Sequence, residues 1–206
     1  MNIIVSCIKV VELLGLPRGG KSTYMRNVLR ELTELGVLVR FIPDKIWDAI
    51  GEDEIEENEW VLAEIRRLLI EAKRTELDLI IIERGAWACL ASIIAHSKNR
   101  KVRSKKQQTR IESIKRLALD LTKHEDFFIY IDISPEESLK RDRESGAVSK
   151  GKIINRIFLP ILKEAYQEVR KQMPSHRTRV IDGEDDIQKN QAKLKKTLLD
   201  LVSKKT

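Results

Sequence analysis

The sequence predicts a three-layer α/β domain, a mostly parallel sheet with helices on both faces. Three observations predict it. Short, nearly continuous apolar runs rich in β-branched and aromatic residues alternate with amphipathic stretches from end to end, as strands covered on both faces of a parallel sheet do. Gly15-Leu16-Pro17-Arg18-Gly19-Gly20-Lys21-Ser22 fits the phosphate-cradling pattern G-x-x-x-x-G-K-[ST] at every fixed position. An apolar run precedes that loop and a helical pattern follows it, which is the strand–loop–helix context the loop requires.

The run 8–14 reads as the strand that feeds the loop. A helix is expected over 22–35, stopped by Gly36. Strand 37–42 comes next, then an acidic stretch over 52–59. Helix 53–75 carries Val61, Ile65, Leu68 and Ala72 at i, i+4, i+7 and i+11, one buried stripe. Strand 79–82 leads into Glu83-Arg84-Gly85 and a helix over 85–96. Helix 109–123 and strand 127–133 follow. Ser134-Pro135-Glu136-Glu137 is a helix start, with a Ser cap, Pro at the first position and then acids. Helix 152–171 contains Pro160, which predicts a kink. Strand 179–181 and helix 185–204 close the chain. No repeat or low-complexity linker interrupts the pattern, so 1–206 reads as one domain, with a basic segment near 97–110 and a lid near 141–152.

The 206 residues, 42% of them apolar, suffice for a large core without disulfides. No run approaches the roughly 20 apolar residues of a membrane span. The apolar patch at the start lacks a following small-residue cleavage site, so no signal peptide is expected. Cys7 and Cys89 sit in apolar surroundings and read as free buried thiols. Cytoplasmic location is the expectation. The net charge of +7 favours phosphorylated or polyanionic partners. Much of the excess lies in 97–110, where Lys98, Arg100, Lys101, Arg103, Lys105, Lys106 and Arg110 occur with no acid. Three readings stay open there: a solvated loop, a contact with a phosphate or nucleic acid, and an oligomer contact.

Three places carry chemistry. In the P-loop, inward-pointing amides would cradle an anion, Lys21 would put a compact charge on the outer phosphates, and the Ser22 hydroxyl would hold Mg²⁺. The next helix aims its positive end at the same point. At the end of strand 79–82, Glu83 is placed to orient Mg²⁺-bound water or to accept a proton, and Arg84 to hold a substrate anion. Ligands of open α/β sheets bind at that edge. In the lid, Arg141 and then Arg143 are candidates to meet the negative charge of phosphoryl transfer.

These motifs resemble P-loop kinases of the thymidylate kinase and deoxynucleoside kinase group, over nearly the whole chain. The thymidylate kinase loop Glu-Gly-x-Asp-Arg-x-Gly-Lys-Ser-Thr aligns without gaps on Leu14 to Thr23, with Arg18 on the family's loop arginine, Leu14 on its Glu and Pro17 on its Asp. The deoxynucleoside kinase motif Glu-Pro-x-x-x-Trp aligns on Ile42-Pro43-Asp44-Lys45-Ile46-Trp47, so Ile42 stands where that family has its catalytic base. Asp44 is the nearest substitute acid. Glu-Arg-Ser appears as Glu83-Arg84-Gly85, and the family's late strand and adenine loop resemble Val180 to Gly183.

The resemblance implies a P-loop NTPase fold with a five-stranded sheet in order 2-3-1-4-5, and a homodimer. It implies ATP on Gly15, Pro17, Arg18, Gly19, Gly20, Lys21, Ser22 and Thr23, with adenine near Asp182. Mg²⁺ is expected on Ser22 and Glu83, and catalysis by Lys21, Arg18, Glu83, Arg84, Arg141 and Arg143. The expected activity is γ-phosphoryl transfer to a nucleoside, a nucleoside monophosphate or a similar small acceptor. The alternatives are a nucleic-acid end kinase and a degenerate nucleotide-binding regulator.

Overall fold

The computed structural model describes residues 8–45, 53–72, 74–99, 104–146 and 154–203. Five strands, β1 (Lys9–Leu14), β2 (Val39–Ile42), β3 (Leu79–Glu83), β4 (Phe127–Asp132) and β5 (Thr178–Asp182), form one sheet in the order β2-β3-β1-β4-β5. Every pairing is parallel. Seven α-helices are described: α1 (Lys21–Glu34), α2 (Glu54–Ala72), α3 (Ala86–Asn99), α4 (Lys105–Leu121), α5 (Pro135–Glu144), α6 (Phe158–Arg170) and α7 (Ile187–Ser203). The predicted fold class and strand order hold.

The two-residue period of a strand sorts its side chains into two cores. Val10, Leu14, Ile80, Ile82, Phe128 and Tyr130 pack with α2, α3, α4 and α6 on one face. Val11, Leu13, Leu79, Ile81, Ile129 and Ile131 pack with α1 and α7 on the other. None of the described helices is long and apolar enough to cross a membrane.

Three expectations need correction. Helix 152–171 begins only at Phe158, where Asn155 Oδ1 accepts from the Ile157 and Phe158 amides. Pro160 therefore falls in the first turn. Its missing N–H would have had no partner there, so it does not kink α6. The helix expected from 109 begins at Lys105, because Ser104 and Gln107 form a reciprocal capping box. The basic run is therefore not a loop at its described ends. Lys98 lies in the last turn of α3 and pairs with Glu168 at 2.9 Å. Arg110, on α4, pairs with Glu56 and Glu59 of the acidic stretch at 3.1 and 2.6 Å. The two opposite charge runs of the sequence thus answer each other in part across α2 and α4. Residues 100–103 lie outside the described residues.

Candidate active site

β1 and β3 pair in register, so the segments that follow them emerge side by side at the carboxyl edge of the sheet. From β1 comes the loop 15–20, and from β3 comes the end residue Glu83 followed by Arg84. The tight turn at Gly15 has a geometric cause. Its φ is +135°, and a Cβ there would lie 2.2 Å from the Ile131 carbonyl oxygen of β4. We expect Gly15→Ala to destabilise the fold by about 1–3 kcal/mol, the usual cost of a strained backbone position, with the clash added. Urea denaturation checks this, and an unchanged midpoint would contradict it.

Lys21 is buried, and its Nζ donates to the Gly15 and Leu16 carbonyls at 3.1 and 2.9 Å. Burial pulls its ammonium below the ordinary lysine value, while Glu83 and Asp44 oppose that shift and Arg84 adds to it. The Ser22 hydroxyl lies 2.8 and 2.9 Å from the two Glu83 carboxylate oxygens. Burial raises Glu83 above the ordinary carboxylate range, and Lys21 and Ser22 pull the other way. A hydroxyl set against a buried carboxylate is a hard-oxygen donor pair, which fits Mg²⁺ with its remaining positions filled by phosphate and water. Ser22 and Glu83 would hold the ion.

Arg84 is buried and adopts φ +61°, with its amide on the Leu13 carbonyl at 2.9 Å. Its Nη1 lies 3.6 Å from Asp44 Oδ2. Its Nε is buried with no hydrogen-bond partner. Ile42, two residues before Asp44, is buried in the core at the end of β2. The acid beside Arg84 is therefore Asp44. Trp47 lies outside the described residues.

Helix α5 grips the outside of the loop. Ser138 Oγ donates to the Pro17 carbonyl at 2.9 Å, and Arg18 Nε donates to Asp142 at 2.8 Å. Arg141 donates to the Gly183 carbonyl at 2.8 Å, to the Arg18 carbonyl at 3.4 Å and to Glu137 at 2.7 Å. The expected lid arginines thus sit on a helix. Because positions two apart on a helix point roughly 200° apart, Arg141 and Arg143 cannot share the loop face. Arg143 donates to the Leu139 carbonyl of its own helix and lines a cavity of about 300 Å³ with Pro135, Glu136, Leu139, Arg156 and Pro160. It is not brought to the P-loop. Residues 147–152 of the expected lid lie outside the described residues.

At the end of β5, Asp182 Oδ1 accepts from the Glu184 amide at 3.0 Å. Tyr24 and Arg141 both donate to the Gly183 carbonyl, and Asn190 donates to the Asp182 carbonyl at 2.6 Å. Gly19, Gly20 and Thr23 complete the loop and the first turn of α1, with Thr23 exposed. Sequence reasoning missed Ser138, Asp142, Tyr24 and Asn190, whose partners are more than a hundred residues away or are backbone carbonyls. It also missed Glu12, a charged residue inside an otherwise apolar strand. That interruption was itself a signal.

No family model matches the sequence, and no curated protein matches it. Solved structures do match. Deoxyadenosine kinase from M. mycoides with bound dATP superposes with a TM-score of 0.66 at 21% identity, over 92% of this chain and 99% of that one. The fold is that of a P-loop kinase. The same M. mycoides enzyme, with products dCMP and a flexible dCDP bound, superposes with a TM-score of 0.62 at 18% identity, over 93% and 99% of the two chains. The shared fold explains why the loop, the Glu83–Arg84 pair and the α5 arginine meet at one edge.

Proposed function

We propose that the protein transfers the γ-phosphoryl group of ATP to the hydroxyl of a nucleoside, or to a nucleoside monophosphate or similar small acceptor. The observation that carries this reading is the convergence of Lys21, Ser22, Glu83, Arg84 and Asp44 at the carboxyl ends of β1, β2 and β3. The likeness to a deoxyadenosine kinase fold favours a nucleoside among the acceptors.

In this reading the loop amides and Lys21 hold the β- and γ-phosphates, and Arg18 exchanges Asp142 for phosphate. Mg²⁺ held by Ser22 and Glu83 would neutralise phosphate charge. Arg84 orients the acceptor. The acceptor oxygen attacks the γ-phosphorus, the bond to the β–γ bridging oxygen breaks, and its electron pair leaves with ADP. Asp44 takes the hydroxyl proton, the task Ile42 cannot perform. Arg141 holds the P-loop and the 182–183 turn at a fixed spacing, which positions the adenosine end.

Labelled-ATP transfer to deoxynucleosides, ribonucleosides and their monophosphates tests the reading. We expect label on at least one of them. ATP binding without transfer to any would overturn it and leave a nucleotide-binding regulator.

A further inference from the structure

Glu12 and Glu125 take no part in the chemistry above, yet both are carboxyls buried to 0% and 1% exposure. Glu12 stands in β1, and Glu125 lies just before β4. They converge on the first turn of α3. Glu12 Oε2 accepts from the Trp87 amide at 3.1 Å and Oε1 from the Ala88 amide at 2.9 Å. Glu125 Oε1 accepts from the Ala86 amide at 3.4 Å. Between them and the backbone there is no room for a side chain. A Cβ at Gly85 would meet Glu12 Cδ at 2.8 Å, and Glu12 Oε2 and Glu125 Oε1 at 3.0 Å each. The carboxyls explain why this chain has Gly after Glu83-Arg84.

The residue immediately before is Arg84, at φ +61°. A non-glycine residue stays in that region only where its surroundings over-determine the backbone. The Leu13 carbonyl fixes its amide on one side, and the carboxyl-bound amides of Ala86, Trp87 and Ala88 fix the chain on the other. We propose that Glu12 and Glu125 form a carboxyl clamp on the start of α3 that sets the direction of the Arg84 side chain.

Two carboxylates this close in an apolar site do not both ionise. Burial pushes Glu12 up to about 7, against the pull of the Ala88, Trp87 and Gly85 amides and of Glu125. Burial, with Glu12 as neighbour, raises Glu125 well beyond the ordinary range. The other groups facing the pair are Cys89 on α3, Tyr166 on α6 and Arg177 in the turn before β5, and Arg84 and Asp44 act on the same Cys89 and Tyr166. Above neutrality, ionised Glu12 accepts two amide bonds while Glu125 keeps its proton. Charge-assisted bonds at a helix N-terminus are the stronger kind, so the clamp tightens as Glu12 loses its proton. The contribution of Glu12 to stability runs the opposite way. Folding raises Glu12 from 4.5 to about 7, so that contribution is largest below pH 4.5 and is lost as pH rises through about 7.

The test is an NMR titration of the ¹⁵N-labelled full chain, without ATP or acceptor, following the Trp87 and Ala88 amides and the Arg84 Nε. We expect all three to shift in one step with a midpoint near 7. Glu125→Gln, whose amide can still donate to Glu12, is expected to keep the step, and Glu12→Gln to abolish it. Urea denaturation of Glu12→Gln should show a smaller decline in stability between pH 5 and 8 than the wild type, by the part that Glu12 contributes. A step confined to the ordinary carboxylate range, or an Arg84 Nε that does not follow the two amides, overturns the clamp. If Glu12→Gln fails to fold, the wild-type and Glu125→Gln titrations still decide. What the directed Arg84 does in turnover rests on the kinase reading; the titration does not, so the two fail separately.

Discussion

Lys21→Ala is expected to weaken ATP binding by roughly ten- to a hundredfold. A charge-assisted hydrogen bond contributes about 1.5–3 kcal/mol, and a factor of ten corresponds to about 1.4 kcal/mol. The geometry supports the upper part of that range. Lys21 is buried, and its ammonium rests on two loop carbonyls that phosphate oxygens would replace. Removing it also takes away the cation that most stabilises the Glu83 carboxylate. Isothermal calorimetry with a non-hydrolysable ATP analogue and magnesium measures the effect. An affinity equal to that of the wild type would contradict the assignment of the loop.

Asp44→Asn is expected to reduce turnover by about 10²–10⁴-fold, the usual contribution of a general base, with ATP affinity nearly unchanged. Asparagine keeps the size of the side chain and can still face Arg84, but it cannot take a proton. The split between turnover and binding is what separates a base from a packing residue. Asp44 also faces Arg84 at 3.6 Å, so part of the loss will appear as a raised KM for the acceptor. If turnover survives the substitution, Glu83 is left as the proton acceptor.

Much of the architecture was legible because a parallel sheet writes itself as apolar runs. β1 and β3 have no room for alternation, since helices cover both faces. The P-loop was legible because glycine is the only residue that fits at position 15, so the geometry leaves a mark in the sequence. Other features were hidden for equally physical reasons. Pro160 marks a helix start and a helix kink with the same letter, and only the true position of the N-terminus decides between them. The facing of Arg141 and Arg143 depends on whether 139–144 is helix or loop, and the helix sends them in different directions. The ion pairs of Arg110 with Glu56 and Glu59 join two segments about fifty residues apart, so neither charge run announced its partner. Asp44 was recognisable as an acid near the position of Ile42, but its nearness to Arg84 needed the packed sheet edge.

The central claim is that this sheet edge moves a phosphoryl group rather than only binding a nucleotide. The most direct measurement is incubation of the purified protein with γ-labelled ATP, magnesium and a panel of deoxynucleosides, ribonucleosides and their monophosphates, beside its Asp44→Asn form, with the products separated by chromatography. We expect a labelled nucleotide product from at least one acceptor with the wild type, and at least about a hundredfold less of a nucleoside's monophosphate with Asp44→Asn. Label that stays in ATP or is found only as free phosphate would contradict the claim, whereas equal label from both proteins would move the proton-accepting role from Asp44 to Glu83.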